Sequence, residues 1–213
     1  MKFSAAVSVG LGLAGITTAA PLTARDTKSA ADIILEIAPA SAKCDSANDQ
    51  CRTNVQVGPL MAKAAAQYGL DHAAPIAAML ALTAFESENY VFKKNQGGTH
   101  GQGTSNMQMY NYNLLYAQSI PALGDKLKAL GAPDALKTTT DTNLMDNVRA
   151  LVIDDEYNFG SGPWFLSTQC PGVIDKLKAN ADDGFTAYMS CVGTGITPQR
   201  QEYWSRAKQA FGL

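Results

Sequence analysis

Ala73-Ala-Pro-Ile-Ala-Ala-Met-Leu-Ala-Leu-Thr-Ala-Phe-Glu86-Ser87 is a long apolar run that ends on a carboxylate. At helical spacing Glu86 shares a face with Met79, Leu82 and Thr83, so its neighbours along the helix are mostly apolar rather than salt-bridge partners. A carboxyl group in such surroundings loses hydration that apolar neighbours cannot replace. That disfavours its charged form, and a protonated acid near neutral pH can give its proton to a leaving group. The run therefore predicts a buried helix carrying a candidate general acid, set against the plainer alternative of a solvated glutamate at a helix end.

Outward from this run the helical period continues. Segments 30–37, 59–68, 75–87, 110–119, 142–157, 173–180 and 198–211 all read as helices, and no alternating strand pair appears, so the fold class is all-α. Gly58-Pro59 puts a proline at a first helical position, Asp141-Thr142 offers caps, and Thr197-Pro198 repeats the cap-plus-proline device. Gly69 and Gly131 mark helix stops. Met107, Met109, Tyr110, Tyr112 and Tyr116 are expected to pack in the core or along a groove.

The N-terminus predicts the compartment. Lys2 precedes an uncharged stretch from Phe3 to Ala20 with small residues at Thr18 and Ala20, too short for a membrane span and lacking a stop-transfer pattern. The expectation is a signal peptide over 1–20, a short propeptide or loose N-terminus over 21–28, and one domain over 29–213 of a secreted, extracellular protein. Secretion makes Cys44, Cys51, Cys170 and Cys191 disulfide candidates, and of the three possible pairings Cys44–Cys51 with Cys170–Cys191 closes two local loops. No Cys-x-x-Cys occurs and His72 and His100 sit at no metal-like spacing, so no metal is expected. No cofactor motif is visible either. A net charge of −2 without a basic cluster argues against nucleic acid.

Two further stretches carry chemistry. The glycine- and amide-rich run from Asn95 to Asn106 suits a chain lining a polar groove and leads into Met107-Gln108. The run from Asp154 to Leu166 combines acids, Tyr157-Asn158, a glycine turn and Trp164; such an aromatic can stack on a sugar face, and burial is the plainer alternative.

Taken in order, Glu86-Ser87, Met107-Gln108 and Tyr157-Asn158-Phe159-Gly160 resemble the blocks of the lysozyme-like superfamily, in its soluble lytic transglycosylase and goose-type lysozyme branch. The sequence departs from that pattern at Asn89, at Ser105-Asn106 and at Glu156. The resemblance implies a lysozyme-like helical domain with Glu86 as catalytic acid, Gln108 lining a saccharide groove, and Tyr157 positioning the acid. Ser87, Asn158 and Trp164 would complete the substrate site.

It implies a secreted muramidase or lytic transglycosylase cleaving the β-1,4 bond of peptidoglycan; no cofactor is expected, since no motif for one is present, and a monomer is the default for a small secreted enzyme of this kind. Inverting hydrolysis needs a second carboxylate. Glu88 is turned away from Glu86 by two helical steps. Asp154, Asp155 and Glu156 precede Tyr157 and could bring a carboxylate to the cleft, with Asp154, three residues before Tyr157, the first candidate, set against the plainer alternative of solvated helix-end charges. A chitin or chitosan glycosidase and a non-catalytic wall-binding protein are the alternatives.

Overall fold

A helix that is apolar all round has no face to give to water and must sit at the centre of the structure. The computed structural model describes residues 28–213 and places Ala73–Glu86 (α3) in that position, with Ala74, Pro75 and every residue from Ala77 to Ala84 buried. The proposed signal peptide, and all of the proposed propeptide except Lys28, lie outside the described residues. Around α3 pack α1 (Ala30–Ile37), α9 (Ser161–Gln169), α10 (Val173–Ala179), α11 (Ala181–Cys191) and above all α12 (Pro198–Phe211). Behind α1 lies α2 (Asn54–Gln67). A second group, α4 (Tyr110–Gln118), α5 (Gly124–Leu130), α6 (Pro133–Thr138) and α7 (Thr142–Val152), continues the core on the other side of α9, and the short α8 (Asp155–Asn158) follows α7. Among the described residues there is no strand, only the isolated bridges Lys94–Gly103 and Gly103–Gln108. The all-α class is therefore observed.

Helix ends follow local chemistry. Ser29 and Asp32 form a reciprocal capping box at α1. The Asp141 carboxylate caps α7, and Thr197 accepts from Arg200 N at α12. Gly69 follows α2 at φ 71° and Gly131 follows α5 at φ 153°. Two expected boundaries are wrong. α2 begins at Asn54, capped by a box between Thr53 and Gln56, so Pro59 lies inside the helix rather than at its start. The carbonyl that Pro59 cannot serve belongs to Val55, which is 67% exposed and open to water. The expected helix over 142–157 is also broken, at Ile153 and Asp154, because Asp154 is extended and its carbonyl accepts from Tyr157 N and Asn158 N to begin α8.

The core is aromatic at both ends. Phe185 stacks on Trp204 with centroids 4.5 Å apart, and Tyr116, Trp164, Phe165 and Tyr112 form a chain of ring contacts. α9 approaches α3 closely because residue 162 is glycine; a Cβ there would lie 2.6 Å from Thr83 Cγ2. Both disulfides have the expected pairing, Cys44–Cys51 and Cys170–Cys191, the second tying the ends of α9 and α11 together.

Candidate functional site

Because α3 is packed along its length, its last residue is delivered to a fixed place. Glu86 stands in a cleft of about 240 Å³. The polar side of the cleft is made by Glu86, Gln102, Asn106, Gln108, Thr194 and Arg200, and the apolar side by Leu82, Met107, Met109, Tyr112, Phe165 and Val192. Arg200 Nη2 donates to Glu86 Oε1 at 2.8 Å, and the Arg200 guanidinium lies 4.5 Å from the centroid of the Phe85 ring. The Glu86 and Arg200 side chains are 23% and 15% exposed, so the pair is only partly screened by water. Glu86 is thus half of an ion pair, where the sequence suggested a lone acid on an apolar face. Two polar atoms near it have no hydrogen-bond partner among the described residues, Arg200 Nε and the hydroxyl of the buried Tyr188. Burial, reinforced by the charge of Glu86, pushes the Tyr188 ionisation well above the ordinary tyrosine value.

After Glu86 the chain turns through three consecutive residues in the left-handed region, Glu88, Asn89 and Tyr90, at φ 52°, 61° and 66°. Such residues are costly for side chains other than glycine, so the turn needs support. Ser87 supplies it. Its hydroxyl donates to Thr83 O at 2.6 Å and accepts from Tyr90 N at 3.0 Å, while Asn89 N reaches Ala84 O at 2.7 Å. The turn sends Glu88 into solvent, as expected, and buries Tyr90 against Phe159.

The opposite rim comes from the glycine-rich run. Asp146 on α7 holds it, accepting from Gly101 N at 2.8 Å and pairing with His100 and with Arg149. Burial alone would raise the Asp146 carboxyl, but these partners outweigh it and hold it below the ordinary value. Within the rim three buried amides form a relay. Asn106 Nδ2 donates to Gln108 Oε1 at 3.3 Å, Gln108 Nε2 to Asn113 Oδ1 at 2.9 Å, and Asn113 Nδ2 to the backbone carbonyls of Gly101 and Gln108. Asn106 Oδ1 is left without a partner among the described residues.

The structure gathers only part of the expected site. Glu86 and Gln108 share the cleft. Ser87 and Asn158 are instead buried together with Tyr90 and Phe159, where Ser87 builds the turn and the Asn158 carbonyl accepts from Ser105 and Ser161. Trp164 is buried in the aromatic core and is no stacking platform. Tyr157 lines a separate cleft with Tyr68, Tyr116 and Glu156, so it does not position Glu86. Asp154 is an exposed residue at the start of α8 and is absent from the lining of the Glu86 cleft, which correspondingly offers no second carboxylate.

Its neighbour Asp155 is structural. It takes Arg52 Nε at 2.6 Å and the Lys93 ammonium; burial would raise its carboxyl, and these two donors hold it low. The residue that sequence reasoning missed is Arg200. Its only local signal was a cation one turn into a well-capped helix, and nothing nearby in sequence named its partner.

Among the described residues no group of three or more His, Cys, Asp or Glu side chains could hold a metal ion. His72 and His100 are surface residues engaged by Asp71 and Asp146, and all four cysteines are oxidised to disulfides.

No family model and no solved structure matches the chain. It is similar to a protein of Fusarium oxysporum (strain Fo5176) named bifunctional dioxygenase (DOX)-epoxy alcohol synthase (EAS), with 50% identity over 143 residues, or 66% of this chain. The chain spans only 11% of that relative's length. The relative's name describes oxidative chemistry. It overturns the lysozyme-like assignment and, with it, the expected muramidase or lytic transglycosylase activity, the other glycosidases and the polysaccharide partner.

Proposed function

We propose that the chain is a secreted binding module whose Glu86–Arg200 cleft takes a small, oxygenated apolar compound of the epoxy-alcohol type. The observation that carries this reading is the division of the cleft. One side offers an acceptor and a donor side by side in Glu86 and Arg200, with Gln108 and Asn106 beyond them; the other side is Leu82, Met107, Met109, Phe165 and Val192. A molecule with hydroxyl and epoxide oxygens on a hydrocarbon chain matches both halves, since its oxygens need partners and its chain needs to leave water. The volume of about 240 Å³ lies below the range of about 300–1,000 Å³ usual for drug-sized ligands, which points to a medium-chain compound. The relative's name supplies the chemical class. An oxygen-activating metal does not fit here, because the histidines and cysteines that would hold one are dispersed or oxidised. We therefore assign the module binding, and no oxygenation step.

Calorimetric titration with epoxyoctanol, octene and octanol tests the reading. Epoxyoctanol is expected to bind most tightly, and Arg200→Met is expected to weaken it about tenfold or more by removing a charged donor. Failure of all three compounds to bind the wild-type chain would sink the proposal. Secretion is checked separately by N-terminal sequencing of protein recovered from the medium of a secreting host. A start between Pro21 and Lys28 supports it, and retention in the cell with an intact Met1 refutes it.

A further inference from the structure

We infer that Asn106 selects ligands by demanding a hydrogen-bond donor from them, so that the cleft takes an alcohol in preference to the ketone of the same skeleton; this rests on the binding role proposed above. The argument begins at the far end of the amide relay. The Asn113 side chain is wholly buried, and its Nδ2 lies 2.8 Å from Gly101 O and 3.1 Å from Gln108 O. Backbone carbonyls only accept, so the amide of Asn113 can stand in one orientation alone, with Oδ1 toward Gln108. That fixes Gln108, whose Nε2 must donate to Asn113 Oδ1 and whose Oε1 therefore faces Asn106. Asn106 must in turn present Nδ2 to Gln108. Flipping it would set two acceptors against each other.

The relay thus transmits its polarity outward and ends on an acceptor, Asn106 Oδ1, in a residue that lines the cleft, is 7% exposed and has no partner for that oxygen among the described residues. A buried acceptor without a donor carries a standing cost that a ligand can relieve only by donating. The Asn106–Gln108 bond, at 3.3 Å, is the longest side-chain link of the relay and the one nearest the cleft. A hydroxyl relieves the oxygen. A ketone only accepts; Arg200 Nε can serve it, but Asn106 stays unpaired.

The test compares epoxyoctanol with epoxyoctanone by calorimetry. The wild-type chain is expected to prefer the alcohol about tenfold. Asn106→Leu is expected to remove the preference by weakening the alcohol while leaving the ketone nearly unchanged. Asn106→Ser, which can donate as well as accept, serves where the leucine variant does not fold and is expected to show the same loss. Equal binding of the two compounds by the wild-type chain overturns the inference and leaves the binding role standing. A full preference retained in the Asn106 variants places the selection on Glu86 and also overturns it. Absence of binding by either compound overturns the inference together with the binding role.

Discussion

Arg200 Nη2 reaches Glu86 Oε1 at 2.8 Å although 114 positions separate the two residues in the chain. The contact joins the end of the central helix α3 to the first turn of α12, and the same guanidinium covers Phe85, whose ring meets Tyr203 edge-on at 5.7 Å. The pair therefore serves the fold as well as the cleft. Glu86→Gln and Arg200→Met should each lower stability by about 1–3 kcal/mol, because each leaves a partly buried charge unpaired. The double variant should cost less than the sum, with a coupling of about 1–2 kcal/mol in a denaturant-unfolding cycle. Strict additivity would show that the pair does not form in solution.

The left-handed turn after Ser87 gives a second expectation. Glu88 is exposed at φ 52°, so Glu88→Gly should stabilise by up to about 1 kcal/mol by relieving backbone strain. Glu88→Val should destabilise by more than about 1 kcal/mol, since a β-branched side chain tolerates this region least. Thermal unfolding of the two variants should move in opposite directions.

Asp155 predicts an acid limb. Its folded-state carboxyl is held low by Arg52 and Lys93, so its contribution is present above the ordinary carboxylate value of 3.8 and fades as the pH falls below it. The unfolding temperature of Asp155→Asn should accordingly depend less on pH between about 5 and 3 than that of the wild type. At neutral pH the variant should be about 1–2 kcal/mol less stable, because Arg52 and the nearly buried Lys93 side chain, 9% exposed, lose their shared carboxylate, while the 35% exposure of Asp155 lets water screen part of the pair. An unchanged pH profile would exclude the triad as a source of stability.

Removing the Cys170–Cys191 bridge should cost about 3 kcal/mol, and removing Cys44–Cys51 somewhat less because it closes a shorter loop. The two should differ in binding too. Val192 and Thr194 in the cleft wall directly follow Cys191, so only the first deletion should loosen ligand binding.

Gly162→Ala tests the contact between α9 and α3. The new methyl group would fall 2.6 Å from Thr83 Cγ2, and the overpacking should cost about 1–3 kcal/mol in equilibrium unfolding.

What the sequence made legible was local. The continuous apolar run of α3, the ends of α1 and α12 and the caps at Asp141 and Thr197 all depend on residues within a few turns of one another. α2 started earlier than expected because a Thr53–Gln56 capping box outweighed the proline signal at Pro59. The helices α5, α6, α9 and α11 were missed because short segments take their stability from packing that a linear pattern does not display. Arg200 was missed for a related reason, since a surface-like cation acquires its partner only when α12 docks on α3. The resemblance to lysozyme-like proteins rested on three short blocks. Of these, Ser87 and Asn158 prove to be buried supports, and Tyr157 belongs to another cleft.

The burial of α3 on all sides also limits how this protein can diversify. Every side chain between Ala77 and Ala84 is packed in the core, and of these only Leu82 also lines the cleft, so a substitution there disturbs packing even where it touches a ligand, and lineages that change specificity should leave that helix alone. Divergence should instead accumulate where the cleft is walled by segments outside α3, in the glycine-rich run around Gln102 and Asn106 and in the stretch from Val192 to Arg200. Innovation in this fold should thereby concentrate in the loop segments around the cleft, beside a central post whose packing tolerates little change.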